Sequence, residues 1–199
     1  MVLLVAGTTT IIFVPFLLQV LHGLSPLAAG YLTVAEALGW TGAALATSAA
    51  GHAGARQAIA AGPAAMLAGL VGLSCSIPDD GASLALIAIW LVLVGAGVGM
   101  GWAHLASRVL ALAPERERDL AAASVSTVQL LATAFGSALA GMVANLAGLS
   151  DPGSVGAAAN AAFWLFAVFA TAPALAGVAV FAILARPAVQ PAGTGLPPS

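Results

Sequence analysis

The chain has 199 residues, of which 61% are hydrophobic and 6% charged, and its net charge is −2. A soluble domain carries about 25% charged residues, so a chain with a mean hydropathy of +1.08 cannot cover itself with polar surface and reads as membrane-embedded. With no lysine, no basic run and a single cysteine, it lacks the electrostatic footprint for nucleic acid and cannot form an internal disulfide.

A helix needs about 20 apolar residues to cross about 30 Å of hydrocarbon. Six stretches meet that need. The first, Val2 to Leu21, holds no charge, and Pro15 is expected to kink it. No basic region precedes it, so it is expected to be a span and not a leader. Ser25-Pro26 reads as an N-cap with proline in the first turn and starts the second stretch, Pro26 to Ala50. A polar break, Gly51 to Arg56, precedes the third, Gln57 to Ile77. Pro78-Asp79-Asp80-Gly81 is a turn by composition. The fourth, Ala82 to Ala113, is longer than a bilayer needs and must tilt, bend or project. Pro114 ends it, and Glu115-Arg116-Glu117-Arg118-Asp119 is the only charge cluster. Asp119 is placed to cap the fifth stretch, Leu120 to Leu149. Asp151-Pro152-Gly153 turns the chain into the sixth, Gly156 to Ala185, with Pro173 inside. Residues 1–186 thus form one bundle, and 187–199 are a Pro/Gly tail expected to be disordered.

Alternating the breaks across a bilayer places Arg56, Arg108, Arg116, Arg118 and Arg186 on one face. Asp79, Asp80 and Asp151 fall on the other. Basic residues near span ends stay in the cytoplasm, so the prediction is an all-α bundle of six transmembrane helices with both termini inside. The stretches are too long and too uniformly apolar for membrane strands. Gly95, Gly97, Gly99 and Gly101 repeat at the spacing that lets helix backbones approach, and Gly136 with Ala140, or Ser137 with Gly141, repeat it in the fifth stretch.

Few residues carry chemistry. Glu36 is the one acidic residue deep within a span, where an ionisable group is costly and faces a cavity or a partner. Thr33, Glu36, Trp40 and Thr47 fall along one helical face. The choice there is between a proton or substrate contact and a carboxyl that merely bonds a neighbouring helix. His104 and Arg108 share a face, with Trp102 just before them; Arg108 is expected to snorkel to the interface. Ser126, Gln129, Thr133, Ser137, Ala140 and Ala144 trace a small, polar face that suits either close packing or a pathway lining. The three histidines, His22, His52 and His104, lie at different depths and make no metal site. Gly72-Leu73-Ser74-Cys75 starts a nucleophile-elbow pattern, but Ser76 stands where the second glycine is needed. No enzyme, cofactor or metal is expected.

Several segments resemble the C-terminal six-helix half of the major facilitator superfamily. Phe13 to Gly30, ending in Ser25-Pro26-Leu27-Ala28-Ala29-Gly30, is similar to the family's seventh helix, outer loop and the start of the eighth; Ala37-Leu38-Gly39-Trp40 continues the likeness. Gly51 to Arg56 is similar to its degenerate glycine/arginine loop. Pro114 to Arg118, Gln129 and Phe135-Gly136-Ser137-Ala138-Leu139-Ala140-Gly141 resemble the loop and eleventh helix of drug/proton antiporters. The resemblance implies that stretches one and four line a cavity, two and five face a second half, and three and six are outer scaffold. Glu36 stands where the family pattern has a small residue, so no family role passes to it.

The resemblance implies the C-terminal half of an efflux pump in the plasma or inner membrane. Such a pump exports small hydrophobic compounds by proton antiport once paired with a second six-helix half or a second copy. The rival expectation is a non-transporting scaffold, assembly partner or inactive fragment. Expected partners are the lipid bilayer, the second bundle, a small-molecule substrate and the proton. Expected pathway residues are Glu36, Trp40, Thr33, Gln129, Trp102 and His104, with Arg56, Arg108, Arg116 and Arg118 in cytoplasmic loops or gating positions.

Overall fold

The computed structural model describes residues 1–150 and 154–184, with the side chains of His52, Ile183 and Leu184 left aside. The Asp151 turn, Arg186 and the 187–199 tail lie outside the described residues. Among the described residues there are helices and no strands. Helix α1 (Val2–Thr8) continues through a 3-10 segment, Thr9–Phe13, into α2 (Val14–His22), making one rod. The other rods are α3 (Pro26–Ser48), α4 (His52–Ser76), α5 (Leu84–Leu112), α6 (Arg118–Leu146) and α7 (Val155–Leu184).

Five of these rods are long and apolar enough to cross a membrane. Helix α3 has the length, 23 residues, or about 34 Å at 1.5 Å per residue. Its apolarity is diluted by Tyr31, Thr33, Glu36, Thr41 and three glycines, so it falls outside the five.

The anticipated kink at Pro15 takes the form of 3-10 winding just upstream. Proline lacks the N–H that would bond the Ile11 carbonyl, and its ring crowds that oxygen. Thr8, Thr9 and Thr10 bond back to Val5, Ala6 and Gly7 carbonyls at 2.7, 2.6 and 3.1 Å, which tightens the same turn. Ser25 caps α3, accepting from the Ala28 N–H at 3.2 Å with Pro26 in the first turn. Gly23, at φ 63°, closes α2 in the left-handed conformation.

Two local expectations are corrected. The segment Gly51 to Arg56 is not a loop: α4 starts at His52. Its polar residues mark contact with water, and one glycine among alanines does not stop a helix. Asp119 does not cap α6. The N-cap is Glu117, without a side-chain cap bond, and Asp119 lies in the first turn, where its charge suits the helix dipole.

The core lies among α2, α4, α5 and α7. Leu17, Leu18, Met66, Leu70, Leu73, Ile87, Leu91, Val94, Leu165 and Phe166 are fully buried there. Rods three and six, implied as outer scaffold, therefore supply much of the interior, because they have each other and α5 to bury against. Helices α3 and α6 lie on the flanks and keep long apolar faces exposed, including Leu27, Tyr31 and Leu38 on one and Leu131, Phe135 and Leu146 on the other.

Glycines hold α5 between two neighbours. A methyl built on Gly95 or Gly99 would land on the Glu36 or Trp40 carbonyl of α3, and one on Gly39 would land on the Val92 carbonyl. A methyl on Gly97 would lie 2.6 Å from the Gly62 carbonyl oxygen and 2.7 Å from the Met66 nitrogen of α4. Residues two apart on a helix point to nearly opposite sides, and residues four apart to the same side. Gly95 and Gly99 therefore admit α3 while Gly97 admits α4. At the far end, the His22 imidazole Nε2 bonds the Ile77 carbonyl at 3.0 Å, and Trp90 Nε1 donates to Ser76 Oγ at 3.1 Å. These bonds tie the end of α4 to α2 and α5.

Gly95→Ala should destabilise the bundle by about 1–3 kcal/mol, because the new methyl meets backbone that can only retreat as a unit. Gly42→Ala, on α3 with nothing within 4 Å of the new methyl, should be neutral or slightly stabilising. Unfolding in mixed detergent micelles measures both. Equal stabilities would refute the glycine seam.

Candidate functional site

An apolar cleft of about 200 Å³ opens where α1, α5 and α6 meet. Val2 and Val5 of α1, Trp102 and Val109 of α5, and Val128 and Gln129 of α6 form most of its wall, with Met1, Ser124 and Val125 completing it. Helix α6 reaches this position through a buried stripe repeating every four residues: Ala132, Gly136, Ala140 and Ala144. A methyl on Gly136 would lie 2.9 Å from the Thr9 side chain and 3.2 Å from the Ala6 Cα. Gly136 therefore serves contact within the bundle, with α1.

Trp102 and Gln129 are thus brought together from different helices. Trp102 supplies a broad apolar ring with a negative face that attracts cations. The Gln129 side-chain amide, half-buried, has no protein partner among the described residues, so its donor and acceptor remain available. Drug-sized ligands occupy pockets of about 300–1,000 Å³. The cleft accommodates part of such a molecule, held by apolar contact and one amide.

The polar face traced on α6 is divided. Ala140 and Ala144 are buried in the packing stripe, whereas Ser126 and Thr133 are exposed and bond the Ala122 and Gln129 carbonyls of their own helix. Hydroxyls satisfied this way add little polarity to a pathway.

Glu36, Thr33 and Trp40 stand apart from the cleft. The Glu36 and Trp40 backbone lies against Gly95 and Gly99, and Gly95 is seven residues from Trp102, or about 10 Å along the helix. Thr33 bonds the Gly30 carbonyl at 2.7 Å, and Trp40 packs against the core. The Glu36 carboxyl is half-buried and has no hydrogen bond or ion pair among the described residues.

His104 and Arg108 line a separate groove with Ser107 and with Ala50, Gly51 and Ala55 at the start of α4. Arg56 lies on the first turns of α4 and is exposed. Arg116 is exposed in the α5–α6 connection. Arg118 pairs with Glu115 at 3.7 Å, an exposed contact of little energetic weight. The pathway candidates therefore fall into three places: the cleft, the α3 seam and the arginine-side groove. No group of three metal-ligating side chains converges among the described residues. Nothing in the sequence distinguishes the α1 valines of the cleft from other span residues.

Two proteins of Mycobacterium tuberculosis, from strains CDC 1551 / Oshkosh and ATCC 25618 / H37Rv, are each named as a probable multidrug-efflux transporter. Each is 37% identical to this chain over 169 residues. The alignment covers 82% of this chain and 35% of each relative, so the chain spans about a third of the length of the curated relatives it matches. No protein-family model matches the chain. No solved structure matches it either. The apolar helices and these relatives together indicate a membrane protein.

Proposed function

We propose that the chain is one six-helix half of a major facilitator efflux transporter of the drug/proton antiporter type. It sits in the cell membrane and exports small hydrophobic compounds once paired with a second half or a second copy. The observation that carries this reading is the 37% identity, over most of the chain, to proteins named as multidrug-efflux transporters. The cleft supplies the chemistry: an apolar wall, the Trp102 ring for flat or cationic compounds, and the Gln129 amide for a polar group. At about 200 Å³ the cleft suits a shared site completed by another bundle, as expected where two bundles rock about a central substrate.

The arginine side is the cytoplasmic side in this reading. In a Cys75→Ser background, a cysteine at Asp80 should react with an impermeant thiol reagent applied to intact cells, and one at Glu117 should not. The reverse pattern overturns the orientation.

Glu36 is the proton carrier of the proposed antiport. Its carboxyl has no hydrogen bond or ion pair among the described residues, and a charge within a span is costly. Glu36→Gln in a complete, two-half transporter should preserve expression and folding but abolish the dependence of drug export on an imposed pH gradient. Vesicle transport measures this. Export in the Gln variant that still tracks the gradient would reduce Glu36 to a packing residue.

A further inference from the structure

The cleft between α1, α5 and α6 is walled mostly by valines, yet two of its side chains carry polar groups that the fold leaves unused. The Gln129 amide and the Trp102 indole N–H make no hydrogen bond among the described residues, and neither is sealed inside the packing. The third polar side chain of the wall is spent: the Ser124 hydroxyl donates to the Leu120 carbonyl of its own helix at 2.8 Å. The Gln129 backbone carbonyl is also taken, by the Thr133 hydroxyl at 3.0 Å. From its side chains the cleft therefore offers a ligand one amide, which both donates and accepts, and one ring N–H, which only donates. No carboxylate or guanidinium side chain lines the wall, so no side-chain ion pair competes with the amide in choosing a ligand.

We propose that Gln129 is the specificity determinant of this cleft. Among compounds of similar shape and charge, the cleft selects those bearing an uncharged carbonyl or amide group over those that are apolar throughout. This rests on the reading of the cleft as a ligand site. An apolar ligand seated against the Gln129 amide strips it of water and returns no hydrogen bond, and an unmade hydrogen bond costs more than a made one contributes. A site that hydrogen-bonds its ligand therefore discriminates against the analogue lacking the group. A ligand with a carboxamide meets the amide's donor and acceptor together. The Trp102 ring face holds the apolar body of either compound, so it contributes affinity without making the choice. Gln129 decides between them.

The test uses the full chain purified in detergent and equilibrium binding of two probes. One is tetraphenylphosphonium, which has no hydrogen-bonding group. The other is (carbamoylmethyl)triphenylphosphonium, in which a carboxamide arm replaces one phenyl while the charge and the remaining rings are kept. Gln129→Met keeps the length and unbranched shape of the side chain and removes the amide. It should weaken the carboxamide probe by about tenfold and hold tetraphenylphosphonium as tightly as before or more so. Its melting temperature should match that of the unaltered chain, because the amide bonds nothing in the bundle. If the unaltered chain binds both probes and Gln129→Met leaves the ratio of their affinities unchanged, or weakens both alike, the specificity role is overturned and the cleft reading stands. If the unaltered chain binds neither probe, the cleft reading falls and the role of Gln129 with it.

Discussion

Backbone contact along α5 is the constraint on which the bundle depends. Inside a bilayer, apolar side chains gain nothing by leaving lipid for protein, so helices associate through close packing. Gly95 and Gly99 let the α3 backbone come to rest on one side of α5, and Gly97 lets α4 do so on the other. The fully buried residues of α2, α4, α5 and α7 then interlock around that axis. The same contact fixes where Glu36 and Trp40 sit, because their carbonyls are the atoms that meet Gly95 and Gly99. The seam therefore positions the candidate proton carrier as well as the fold.

Much of this architecture was legible as pattern. Five of the six apolar stretches, the Ser25-Pro26 start of α3 and the glycine spacing in α5 all rest on local chemistry. A cap needs a side-chain oxygen three residues ahead of its donor, and a seam needs small residues four apart. The polarity of Gly51 to Arg56 misled because charge reports exposure to water, and a helix end can project into water without unwinding. Gly136 was legible only in kind: small residues announce a close neighbour without saying which one. Its neighbour is α1, in the same chain.

The candidate site was partly legible. Trp102 and Gln129 stand out because tryptophan and amide side chains are few in these spans, and the structure places both in one cleft. The valines opposite them carry no such mark, because their role comes only from which helices meet. Glu36 and His104 stand out equally, yet one lies at the α3 seam and the other in the arginine-side groove. Rarity of residue type identifies polar positions in a membrane span; only the packing of α1, α5 and α6 decides which of them share a space. The hydroxyls of Thr33, Ser126 and Thr133 show the converse. Their spacing left close packing and a pathway lining both open, and each is spent on a carbonyl of its own helix.

The central claim is that apolar compounds bind where α1, α5 and α6 meet. Equilibrium binding of radiolabelled tetraphenylphosphonium, a hydrophobic cation, to the purified chain tests it most directly. Trp102→Ala should weaken binding by about fivefold or more, the worth of one ring face to a desolvated cation. Trp164→Ala, an exposed ring on α7 outside the cleft, should leave it unchanged. Unaltered binding in Trp102→Ala, or the same loss in both variants, would contradict the account.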